Sequence, residues 1–135
     1  MSPLDSVLKS PADLSTPSRY TVLSGIIYLA AGGLLIVWPG ATQTIFMDRA
    51  FVGDESGLMR AVGMGVAIIG WFYLNGGRSG ARNFVASTVF DRLILVPIVL
   101  ITLAIAGVFP HLFIAFTLLD VGLAVGAWVL FNRWE

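Results

Sequence analysis

The sequence predicts an all-helical protein: a bundle of four membrane-spanning helices with both termini in the cytoplasm. Three observations carry this. Of the 135 residues 57% are apolar and only 12% charged, and the mean hydropathy is +0.88. Soluble domains run at about 45–50% apolar and about 25% charged, so this chain has too little polar surface to coat a globule in water. Second, four apolar runs each approach or exceed the ~20 residues that a hydrocarbon core requires. Third, no run alternates apolar and polar residues with a period of two, which sets a β-barrel aside. Within lipid every backbone N–H and C=O must be paired inside its own segment, so the runs are expected to be helices.

Residues 1–19 form a polar tail punctuated by Pro3, Pro11 and Pro17, and no long helix is expected there. The first apolar run begins late, behind Asp5 and Asp13, which reads as a cytosolic tail rather than a cleaved leader. The membrane domain is residues 20–135, with spans at about 20–38, 57–75, 84–109 and 111–131. The first span closes at Pro39-Gly40 and the second at Gly76-Gly77. Pro110 separates the third from the fourth by a tight turn or a helix start. The stretch from Gly40 to Ser56 carries Ile45, Phe46 and Met47, then Ala50, Phe51 and Val52. It is either a short helix on the outer surface or a loop folded onto the mouth of the bundle.

Sidedness follows from the Lys and Arg that flank the spans. An even number of spans puts Lys9, Arg19, Arg78, Arg82 and Arg133 on one side, leaving Arg49, with Arg60 as a flanking residue, on the other. The richer side is expected to be cytoplasmic. Tyr20 and Trp38 bracket the first span, and Trp71, Tyr73, Trp128 and Trp134 are placed near the inner ends of the second and fourth, where amphipathic rings favour the headgroup layer.

Composition also bounds the chemistry. Eight Lys and Arg balance eight Asp and Glu, so no electrostatic field recruits a nucleic acid. Without cysteine there are no disulfides or thiolate metal sites. The single histidine, His111, could serve as an axial haem ligand or proton carrier, against a plain reading as a solvated helix-end residue. No cofactor or metal is expected. Asn75-Gly76-Gly77-Arg78-Ser79-Gly80 lacks the spacing of a phosphate loop.

Ionisable residues within the spans are the first candidates for function, since each costs about 2.5–3.5 kcal/mol on insertion scales. Asp120 is expected roughly 13 Å below the outer border and Arg92 roughly 12 Å above the inner one, at about 1.5 Å per residue. In a ~30 Å core their depths differ by roughly 5 Å, so an intramembrane Arg92–Asp120 pair is expected, with Arg60 as the second candidate partner. The pair either fixes helix register or acts on a ligand. Asp91 is expected to snorkel to the headgroups or to pair with Arg92. Gly122 and Gly126 make a Gly-x-x-x-Gly on the opposite side of the fourth span, suited to packing against another span or a second copy. Ala61-x-x-x-Gly65 and Gly63-x-x-x-Ala67 offer similar spacing in the second.

A short first span ending at Trp38-Pro39, Arg60-x-x-Gly63 opening a glycine-rich second span, Arg92 early in the third and Asp120 within the fourth together resemble the DoxX-like group of small bacterial four-helix membrane proteins, including its BphX-like members. The likeness covers about residues 21–131. It implies the four-span fold and a bacterial inner membrane, and for some members service to quinone-linked oxidoreductases. It carries no catalytic residue to this chain. The function expected is that of an accessory or structural membrane subunit, acting through packing with itself or a partner subunit and without catalysis of its own. The rivals are a small membrane enzyme or quinone-site subunit using Arg92 and Asp120 on an apolar substrate, and, ranked last, a small carrier.

Overall fold

The computed structural model describes residues 2–9 and 13–133; Pro11 of the tail and Trp134 of the inner aromatic group lie outside them. Regular structure among the described residues is entirely helical. The order is α1 (Pro3–Leu8), α2 (Thr16–Val37), α3 (Ala41–Thr44), α4 (Glu55–Arg78), α5 (Arg82–Phe90), a π-helical turn (Asp91–Leu95), α6 (Val96–Ile105) and α7 (Pro110–Phe131). Four helices are long and apolar enough to cross a membrane: α2, α4, the continuous run Arg82–Ile105, and α7.

Local chemistry moves the expected boundaries. The first span starts at Thr16, inside the expected tail, because Ser15 caps it by accepting from the Ser18 amide at 3.2 Å, and Pro17 sits in the first turn where no N–H is needed. The tail itself holds α1, opened by a capping box between Ser2 and Asp5. Gly76-Gly77 does not end the second span. The helix runs through both glycines to Arg78, because Gly77 lies against Ser18 and Val22 of α2, and Gly76 leaves room for the Phe84 ring. The third span ends early, at Ile105. Gly107 adopts φ +82°, Val108 N–H bonds Leu103 C=O and Gly107 N–H bonds Ala104 C=O, the Schellman arrangement that a left-handed glycine permits.

The most intimate contact is between antiparallel α2 and α4. Gly25 and Gly32 on one face Gly70 and Gly63 on the other, each pair seven residues from the next. A Cβ added at Gly32 would stand 2.4 Å from Ala67 N, and one at Gly70 would stand 2.6 Å from Leu29 N. Backbone touches backbone along this seam, the close approach that small residues allow between helices in lipid. The packing face expected on α7 is used only in half: the Tyr20 hydroxyl occupies the space beside Gly126, whereas Gly122 opens outward.

The stretch after α2 folds onto the mouth of the bundle. Phe46 and Phe51 pack against a core of Leu35, Met59, Phe109, Leu112 and Phe113. Asp48, further along, supplies the N-cap that α7 lacks locally: its two carboxylate oxygens accept from His111 N at 3.0 Å and Leu112 N at 2.9 Å. Phe109 is held at φ +39° before Pro110, a strained position retained because its ring is buried in this core and meets Phe51 edge-on. Arg49 lies over the Phe109 ring and bonds Glu55 through both nitrogens at 2.7 Å, and those bonds hold its guanidinium above its ordinary pKa. Outward faces remain apolar: Ile68, Phe72, Ile98 and Ile105 are all exposed, as helix surfaces facing lipid are.

Candidate functional site

The candidate site begins with a defect in the third span. Pro97 carries no amide hydrogen, so the Leu93 carbonyl cannot receive its usual i+4 bond. The helix answers by widening just upstream: Val96 N–H reaches back five residues to Asp91 C=O, producing the π turn Asp91–Leu95. Such single turns recur at functional sites, because the extra residue re-aims side chains that a regular helix would spread around its circumference. Here Arg92 becomes the largest fully buried side chain among the described residues, at 1% exposure, and Asp91 is half-buried beside it.

Every spanning segment contributes a polar side chain to the same place. Tyr28 of α2 donates its hydroxyl to Asp120 Oδ1 of α7 at 2.5 Å. Tyr73 of α4 donates to Asp91, whose oxygens lie 2.9 and 2.8 Å away. The two tyrosine rings meet edge to face with centroids 5.4 Å apart, and the Arg92 guanidinium stands 5.0 Å above the Tyr73 ring. Arg92 is anchored one turn back on its own helix, donating from Nε to the Thr88 carbonyl at 2.8 Å and from Nη2 to the Thr88 hydroxyl at 3.0 Å. Its third nitrogen, Nη1, is buried without a hydrogen-bond partner.

These groups line one end of a cavity of about 330 Å³. The remaining wall is apolar and comes from α4, α6 and α7. On α4, Val62, Val66, Ile69 and Tyr73 stand at helical spacing on one face. On the other side stand Leu95 and Val99. α4 packs along α2, and α6 along α7, but α4 and α6 scarcely touch, and the cavity fills the gap between them. Ile69, Leu95 and Val99 are 43%, 62% and 46% exposed, so the gap opens sideways onto the apolar outer surface.

Arg92 and Asp120 line this one cavity but share no ion pair. The carboxylate is occupied by the Tyr28 hydroxyl and the guanidinium by Thr88, so the direct bridge expected from their depths is replaced by two tyrosine-held carboxylates around a locally anchored cation. Asp91 neither snorkels nor bonds the Arg92 guanidinium; it takes Tyr73. Arg60 lies elsewhere, exposed, donating from Nη1 to the Ile36 carbonyl at 2.6 Å near the C-terminus of α2. His111 stands at the start of α7 with its imidazole 61% exposed, Nδ1 lying 3.3 Å from Asp48 Oδ1 and 3.3 Å from Met47 O. Tyr73, assigned from sequence to the headgroup layer, is 5% exposed, whereas Trp71 and Trp128 do face outward.

Tyr28, Tyr73 and Thr88 are the site residues that sequence reasoning missed. A proline within the third apolar run is the signal that marks the place: Pro97 foretells a disturbed turn within the residues before it, and that turn holds Asp91 and Arg92. The chain matches no protein-family model, no curated protein and no solved structure.

Proposed function

We propose that this chain is a multi-pass protein of a bacterial cytoplasmic membrane, DoxX-like in type and with both termini inside, and that it serves as an accessory subunit holding a small lipophilic molecule between α4 and α6. The observation that carries the reading is the sideways opening. A cavity with a polar end and an apolar wall exposed at Ile69, Leu95 and Val99 is reached from hydrocarbon rather than from water. Its volume falls at the lower end of the ~300–1,000 Å³ range of small-molecule sites, and apolar walls with a few convergent polar groups are what such sites share. The polar end lies near the middle of the helices: Asp120 is ten residues into α7, or about 15 Å at 1.5 Å per residue. Buried charges at that depth are costly, and packing alone does not require five polar side chains. Sidedness rests on the excess of Lys and Arg flanking the ends expected to lie inside.

The test is extraction. Protein purified from native membranes in mild detergent is expected to release about one lipophile per chain into organic solvent, identified by mass spectrometry. Val66→Trp fills the cavity from α4 and is expected to abolish this. Equal recovery from both proteins, or none from the wild type, defeats the proposal. A reporter fused to either terminus is expected to be active only in the cytoplasm.

A further inference from the structure

We infer that the bound molecule presents a neutral carbonyl oxygen to Nη1 of Arg92. This rests on the lipophile-binding reading above and adds the chemistry of the ligand's polar end. A guanidinium offers five N–H donors and accepts none. In this protein Nε and Nη2 are engaged by Thr88, while Nη1, on a side chain 1% exposed, has no partner. Buried polar atoms in native proteins are almost always paired, and a charged donor left unpaired is among the costliest exceptions. No acceptor of the cluster lies at hydrogen-bond distance from Nη1: Asp120 is turned to Tyr28 and Asp91 to Tyr73. Arg92 lines the cavity, so that is the side from which an acceptor from outside the chain would approach, with a small shift of the wall needed to uncover Nη1.

Charge and donor count narrow the acceptor. One guanidinium already faces two carboxylates around this cavity, so an anionic headgroup would add a third negative charge in a place that water does not screen. An alcohol would bring a donor needing its own acceptor. A carbonyl oxygen brings two lone pairs and no donor, matching the vacancy at Nη1. The apolar remainder of the molecule then lies along Val66, Ile69 and Val99 toward the opening. At about 30 Å³ for each water-sized volume, the cavity admits a body of roughly ten non-hydrogen atoms, with the lateral gap leaving room for more.

Benzophenone, a neutral diaryl ketone that cross-links on irradiation, is a suitable probe. The full chain in nanodiscs of neutral phospholipid is irradiated with it, and the labelled residues are found by mass spectrometry. Label is expected on the α4 and α6 walls. It should be displaced by unlabelled ketone at least about ten-fold more effectively than by diphenylmethane, benzhydrol or diphenylacetate at equal membrane concentration. Arg92→Met is expected to level that preference. Should that variant fail to fold, Thr88→Val loosens the guanidinium while keeping side-chain shape, and is expected to reduce the preference several-fold with total labelling little changed. Val99→Trp, at an exposed position on the opening, is expected to block labelling altogether. If all four compounds compete equally and Val99→Trp still blocks them, the carbonyl assignment is wrong and the cavity reading survives. If Val99→Trp leaves labelling unchanged, the cavity reading falls as well.

Discussion

Replacing Gly32 by alanine should separate α2 from α4, and the size of the effect can be worked from the seam. The new Cβ would lie 2.4 Å from Ala67 N and 2.5 Å from Gly63 O, whereas ordinary contact begins at 3.4 Å. The difference, about 1 Å, must come from the helices, because both obstacles are backbone atoms that no rotamer change removes. Overpacking of this kind costs ~1–3 kcal/mol, and the rigidity of the obstacle puts Gly32→Ala near the upper end. Gly63→Ala meets Gly32 O at 2.7 Å from the opposite side, so the two substitutions share one displacement. Once the first has opened the seam, the second should cost less, with a coupling of about 1 kcal/mol or more. Gly33 is the internal control. A Cβ there has nothing within 4 Å, so Gly33→Ala should be neutral or stabilising by up to ~1 kcal/mol through helix propensity. Equilibrium unfolding by SDS in mixed micelles, followed by tryptophan fluorescence, measures all four variants. The reasoning is refuted if Gly32→Ala costs no more than Gly33→Ala, or if Gly32→Ala and Gly63→Ala simply add.

Three further outcomes are expected. Asp48→Ala removes a cap from two amides of α7 and should destabilise by about 1–2 kcal/mol, with faster hydrogen exchange at His111 and Leu112; unchanged exchange there would show that the loop does not hold the helix. Tyr28→Phe leaves the Asp120 carboxylate without its donor and should cost about 1–3 kcal/mol, most of it recovered in the double variant Tyr28→Phe/Asp120→Leu, because removing both polar partners removes the unmet demand. If the double variant is as unstable as the single one, the hydrogen bond is not the cause. Pro97→Ala restores the missing amide, so the Cα chemical shifts of Asp91 to Leu95 should move to regular α-helical values and benzophenone labelling should fall; an unaltered π pattern would mean that packing, not the proline, imposes it.

The seam shows how far a sequence motif can be read. Four-residue spacings drew attention to Gly122 and Gly126 on α7, of which only Gly126 meets another helix, and to Gly63 and Ala67 on α4, which do straddle Gly32; the seam as a whole repeats every seven residues, Gly25 and Gly32 against Gly70 and Gly63, with Gly77 against Ser18 and Val22. Each helix alone is ambiguous, since a small residue fits many interfaces. Matching rows on two antiparallel helices become informative only when both are considered together.

What the sequence determined by itself are the properties that sum over many residues: four apolar helices, the turns at Pro39 and Pro110, and the presence of unusual charge at Asp91, Arg92 and Asp120. These follow from backbone satisfaction and transfer energy, which depend on local composition. The tertiary structure alone decided which partner each charge takes. Depth along a helix places Arg92 and Asp120 at similar heights, but hydrogen bonds are settled within an ångström. There a π turn at Asp91–Leu95, a Thr88 hydroxyl one turn away and two tyrosines from other helices claim the donors and acceptors first. The opening between α4 and α6 was likewise hidden, because a cavity is what packing leaves unfilled and no single segment encodes it.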